Sequence, residues 1–212
     1  MKNNNKSYAN VQLSDFDFLV AQATKAPSGH NTQPWLFKQT NSSIEIHPDF
    51  TRKLPAVDPS NRELFVSLGC AAENLCLAAN SKGYKAAVSV DDGTGVITVS
   101  LTKRSVEADP LFVQIDRRQT NRSVYSGKEI PSEILNKLQS VYPEKDVEIH
   151  FYQKNTTAFN DIAAYIFEAN ELQMQNEAFK SELKSWMRFN KKHQDQTHDG
   201  LSYAVFGAPN VP

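Results

Sequence analysis

The 212 residues carry 23 Lys and Arg against 24 Asp and Glu, and 40% of them are apolar. A chain this long buries about 70% of its unfolded surface without disulfide or metal staples. Its balanced charge gives no electrostatic grip on nucleic acid, and no run approaches the roughly 18 apolar residues of a membrane span. The polar start, Met1 to Lys6, lacks the apolar core of a signal peptide, and two cysteines fit a reducing, cytoplasmic setting.

In chain order, the first helix is expected to open at Ser14, capped by its hydroxyl with Asp17 three residues on. Phe16, Leu19, Val20 and Ala23 then share one face, and Pro27 and Gly29 end the helix. Ser28 to Pro34 is polar and bracketed by prolines, hence loop. Trp35 to His47 reads as strand, turn and strand, with the turn at Thr40–Ser43. A second proline-bearing loop, Leu54–Ser60, precedes a long helix from Asn61 to Lys82. Leu64, Leu68, Ala71, Ala72, Leu75, Ala78 and Ala79 line that helix, and Gly83 stops it. Lys85–Val90 and Val96–Lys103 form a hairpin around Asp91–Gly95. Asp109-Pro110 is the best candidate boundary.

Beyond that boundary come a charged stretch, Asp116–Arg122, and a helix from about Pro131 with Ile134, Leu135, Leu138 and Val141. Val147–Gln153 is expected as a short strand. Phe159, Ile162, Ala163 and Ile166 begin a further amphipathic helix, and Phe179, Leu183, Trp186 and Met187 continue helically. The polar stretch Glu168–Lys192 suits a surface arm or lid. Cys70 and Cys76, roughly 120° apart on one helix, fit neither a disulfide nor a metal site and are expected to pack in the core. His47, His150, His193 and His198 share no metal-ligand spacing.

Two segments carry chemistry. In Ala26–Trp35, two prolines stiffen the ends and Gly29 permits close backbone approach. Between them stand a hydroxyl, an imidazole and two carboxamides. A carboxamide offers a donor and an acceptor together, which suits the N–H and C=O edge of a pyrimidine-like ring; the same residues would also serve a polar turn between helix and strand. In Arg117–Arg122, three arginines and a threonine offer several N–H donors and a hydroxyl to one phosphate; a solvated charged turn is the other reading.

Ala26–Trp35 resembles the flavin-contacting loop of the nitroreductase superfamily, and its Ser-Gly-His-Asn-Thr-Gln-Pro-Trp form resembles the Acg-type branch. Val57–Leu64 with Leu68-Gly69 and Glu73-Asn74-Leu75 resembles the next helix of that branch. Gly200–Tyr203 resembles a stretch near its flavin. Ile115–Tyr125 resembles the arginine segment that opens classical nitroreductases. The resemblance implies an α+β nitroreductase-like fold with FMN (flavin mononucleotide) as cofactor. It places Pro27, Ser28, Gly29, His30, Asn31 and Gln33 at the ring. Arg117, Arg118, Thr120, Asn121 and Arg122 fall at the phosphate.

In that family the arginine segment comes first in the chain, and the flavin sits between two subunits. Here the order is reversed. The implied architecture is two fused, degenerate repeats acting as a pseudo-dimer: residues 1–108 bring the ring loop, and 109–212 bring the phosphate grip and helical lid. The second half lacks elements that the family places after its helices, so the chain is expected to be a fragment or to borrow that wall, with homodimerisation left open. The implied activity is an FMN-dependent NAD(P)H oxidoreductase passing electrons to a nitroaromatic, quinone or similar small-molecule electron acceptor. The alternative is a flavin-binding or flavin-sequestering protein without turnover. Neither nucleic acid nor membrane is expected as a partner.

Overall fold

Four antiparallel strands and two helices make the hydrophobic core. A computed structural model describes residues 13–106, 109–121, 124–140 and 147–206. The chain divides into two compact units, one of residues 1–120 with 181–212, the other of residues 121–180. This division concerns compactness, whereas the expected repeat boundary at 108/109 concerns the order of motifs.

In the first unit, α1 (Leu13–Ala23) leads through the proline-bracketed loop to β1 (Trp35–Gln39) and β2 (Ser43–Pro48). After α2 (Arg62–Ser81) come β3 (Tyr84–Val90) and β4 (Ile97–Lys103). The sheet order is β1-β2-β4-β3, antiparallel throughout. Ile44 opposes Val99 and Ile46 opposes Ile97, and all four are buried. The intervening Glu45 and His47 lie on the other face of the strand, joined by a 2.9 Å hydrogen bond. Strand alternation thus gives this sheet one core face.

The long helix supplies the other half of the core. Leu64, Leu68, Ala71, Ala72, Leu75, Ala78 and Ala79 are all buried, as the periodicity predicts. By length and hydropathy α2 alone among the described helices could cross a membrane, yet its apolar stripe packs with α1 and the sheet. Glu73 and Asn74 interrupt its apolar residues, so it is no continuous apolar run, while alanines at 71, 72, 78 and 79 raise its mean hydropathy. Asn61, at the N-cap, has left-handed backbone and makes no side-chain cap. The buried Asp58 carboxylate does that work, accepting from the Leu64 N–H at 3.0 Å. Cys70 and Cys76 pack against the core as expected, and burial pushes the Cys76 thiol up to about 11.

Several expectations are corrected. The first helix starts at Leu13, so Ser14 lies within it and not at its cap. Val147–Gln153 forms no strand; Val147, Ile149 and Phe151 alternate correctly but stand about half exposed, with no partner strand among the described residues of their unit. The second unit instead holds α3 (Ser132–Gln139) and α4 (Thr157–Gln175). The expected continuous helix is broken at Asn176, whose carboxamide oxygen caps α5 (Glu177–Trp186) by accepting from Ala178 and Phe179 N–H groups. Met187 leaves the helix: Met187-Arg188 (β5) pairs in parallel with Leu201-Ser202 (β6), across α6 (Lys191–Thr197). Val141 lies outside the described residues.

Candidate functional site

The proline-bracketed loop is held in an unusual backbone shape. His30, Asn31 and Gln33 all have positive φ, at 49°, 54° and 52°. Left-handed backbone is uncommon for residues with a Cβ and marks local strain. The turn is fixed from inside: Asn31 and Thr32 N–H donate to the Ser28 and Gly29 carbonyls at 3.0 and 2.9 Å. The Ser28 Oγ accepts from the Gln33 N–H at 2.9 Å. Gly29 lets two side chains pack close: a Cβ there would lie 2.9 Å from Glu63 Oε2 and 3.2 Å from Leu54 Cδ1, and both would have to shift. Thr32 is buried, Pro27 exposed, and Ser28, Gly29, His30 and Gln33 half-buried.

The chain's far end lies on this loop. Asn31 Nδ2 donates to the Gly200 carbonyl at 3.1 Å, and the Gly200 N–H returns a bond to the Asn31 carbonyl, also at 3.1 Å. Gln33 Nε2 donates to the His198 carbonyl at 2.7 Å. Between these residues sits Asp199, which takes Arg52 Nη1 at 2.9 Å and Arg188 Nη2 at 2.7 Å. Arg52 Nη1 also donates to the Thr32 carbonyl at 2.8 Å, tying clamp to loop. Burial raises the Asp199 pKa, but the hydrogen bonds and charges of Arg188 and Arg52 outweigh it, and the carboxyl titrates below its ordinary range.

Nearby, Glu182 spreads its carboxylate over the Ala56 and Val57 N–H groups at 2.9 and 3.0 Å. The expected surface arm, Glu168–Lys192, is therefore no free arm at its C-terminal end. Glu182 is fixed to the loop after β2, and Arg188 is buried. Sequence reasoning missed Arg52, Glu182, Arg188 and Asp199. A charged residue in sequence does not name its partner, whether that lies 11 residues away, as for Arg188 and Asp199, or more than 100, as for Arg52 with Asp199 and Glu182 with Ala56.

The arginine segment is anchored by buried Ile115, while Arg117, Arg118 and Thr120 are exposed. Arg118 Nη2 donates to the carbonyl of Lys25 at 3.2 Å, and Asp116 pairs with Lys25 Nζ. Lys25 directly precedes Ala26-Pro27. Two motifs some 90 residues apart in sequence thus meet at one lysine. Asn121 begins the second unit, and Arg122 lies outside the described residues.

This donor set suits a phosphate. A guanidinium has five N–H groups, and the bond to Lys25 engages one of the five in Arg118. The ring side fits in part. Asn31 and Gln33 keep their carbonyl oxygens as acceptors, but an N–H of each is given to the 198–200 backbone.

No family model matches the chain. Two proteins of Mycobacterium tuberculosis, from strains CDC 1551 and H37Rv, are each 33% identical to it over 119 residues. Each bears the name "Putative NAD(P)H nitroreductase". The match takes in 53% of this chain but only 35% of either relative. Among solved structures, a Bacteroides thetaiotaomicron "Putative NADH dehydrogenase/NAD(P)H nitroreductase" covers 57% of the chain and 86% of its own, at 14% identity and a TM-score of 0.37. A nitroreductase family protein of Streptococcus pneumoniae covers 53% and 91%, at 17% identity and a TM-score of 0.36. Scores this low leave the fold to rest on the chain's own elements.

Proposed function

We propose, from the premise that this chain is a relative of the nitroreductase superfamily, that it binds FMN and works as an NAD(P)H-dependent oxidoreductase. The observation that carries the reading is the meeting of Arg118 and Asp116 with Lys25. It brings Asp116 and Arg118 to the residue just before Ala26, which supports a single site fed by residues 1–108 and 109–212. In this reading Arg117, Arg118 and Thr120 hold the phosphate, with Asn121 and Arg122 continuing the segment, while the loop from Pro27 to Gln33 faces the ring. When bound, the flavin supplies hydride chemistry between NAD(P)H and a nitroaromatic, quinone or similar acceptor. The chain's part is to bind, orient and shield.

The test uses two ligands that differ by one phosphate. Arg118→Ala removes charge-assisted hydrogen bonds and should weaken FMN binding by about 1.5–3 kcal/mol, roughly 10- to 150-fold. Riboflavin, which lacks the phosphate, should bind as before. A protein that takes up no added FMN, or one that loses riboflavin as heavily as FMN, overturns the reading.

A second reading, flavin holding without turnover, is favoured by one observation: the 198–200 backbone is hydrogen-bonded onto Asn31 and Gln33 and so covers that side of the loop against a second substrate. Stopped-flow mixing with NAD(P)H separates the two. Rapid flavin bleaching supports the oxidoreductase; flavin that only dithionite reduces supports the store.

A further inference from the structure

We propose that Lys25 is a positioning residue for the phosphate grip, acting through Asp116. The inference rests on the FMN reading above and adds to it a residue that neither motif contains. The sequence sets a carboxylate directly before the arginine pair, at Asp116-Arg117-Arg118. A free carboxylate there is harmful twice over: it repels a phosphate dianion and competes with it for the guanidinium N–H groups.

The structure gives that carboxylate another partner. Lys25 Nζ pairs with Asp116 Oδ1, and Lys25 Nζ is itself held by Gln22 Oε1 at 3.0 Å. The carbonyl of the same lysine accepts from Arg118 Nη2 at 3.2 Å. One residue therefore neutralises the acid with its side chain and fixes an arginine with its backbone. Buried Ile115 keeps the segment in place beneath these contacts. With Asp116 engaged by Lys25, the arginine charges face a phosphate unopposed.

The lysine side chain is 38% exposed and that of Asp116 67%, so the pair adds little to folding and a Lys25→Met chain should fold normally. Its FMN affinity should fall on the order of three- to ten-fold at low salt, as expected when one uncompensated charge is released close to a phosphate. The loss should shrink as salt rises. Riboflavin affinity should not change. Adding Asp116→Asn to Lys25→Met should restore FMN binding, because the charge that Lys25 controls is then gone.

Isothermal titration of the four proteins (parent, two single variants and the double variant) with FMN and riboflavin decides the matter. An unchanged FMN affinity in Lys25→Met, or an equal loss for both ligands, overturns the proposal. So does a double variant that stays weak, which would make Lys25 a phosphate ligand in its own right. Arg118→Ala, run alongside, isolates the premise. If it fails to discriminate FMN from riboflavin, the cofactor reading falls; if it discriminates while Lys25→Met does not, only the role of Lys25 falls.

Discussion

Asp199 shows how one side chain holds two distant segments together. Its side chain is 11% exposed and the Arg188 side chain 7%, so losing the carboxylate would strand a buried guanidinium. Asp199→Asn should cost about 1.5–3 kcal/mol in chemical denaturation at neutral pH. The pH dependence has a definite sign. The folded carboxyl titrates below its ordinary value because Arg188 and Arg52 outweigh the desolvation that raises it. Its contribution is therefore complete above the unfolded value of about 3.9 and is lost as pH falls through the lower folded value. The gap between parent and variant should close in strong acid and stay constant between pH 6 and 8. A gap that widens in acid would contradict the clamp. Next to it, Gly200 has φ +76°, and a Cβ there would lie 2.4 Å from the Trp186 carbonyl oxygen. Gly200→Ala should cost about 2–3 kcal/mol by the same measurement, from left-handed strain plus a backbone clash that no rotamer relieves.

Among the elements, α2 was legible because its evidence is local: a 3.6-residue apolar period with Gly83 beyond its end. Its N-terminal cap was not, since Asp58 reaches over Pro59 and Ser60 to a backbone N–H six residues ahead of it. Asp58→Ala should lower the unfolding free energy by about 1 kcal/mol, with the loss confined to stability. Expected strand 147–153 failed for the opposite reason. Alternation states what a strand would bury, but a strand also needs a neighbour to take its N–H and C=O groups, and sequence alone does not provide one. The site divides along the same line. Local loop chemistry at Ala26–Trp35 could be read from residue types, whereas the pairing of Asn31 with Gly200, 169 residues away, could not; only the resemblance of Gly200–Tyr203 to a stretch near the flavin pointed there. Lys25 with Asp116, 91 residues apart, was invisible for the same reason.

At the scale of the whole molecule, stability is unevenly spread between the two units. The first unit buries Leu19, Ile44, Ile46, Leu68, Leu75 and Val99 essentially completely. In the second, none of the described residues is buried, and Tyr165, Ile166 and Phe167 of α4 stand 71%, 58% and 69% exposed. Backbone hydrogen bonds resist exchange only as far as opening exposes apolar surface and breaks packing. A helix such as α4 has its own ladder but little buried surface to hold it, and most helical stability in proteins comes from packing an apolar face. Hydrogen exchange read by mass spectrometry should therefore separate the units by orders of magnitude. Amides of α2 and β4 should exchange only through global unfolding, with a rate that follows denaturant as the whole-chain transition does. Amides of α4 should exchange within seconds and independently of denaturant. FMN should slow exchange in the loop 26–35 and around Arg117 and Arg118 alike, since both segments of one site gain protection together. Protection of one segment without the other would mean that the two motifs do not share a ligand, however close Lys25 brings them.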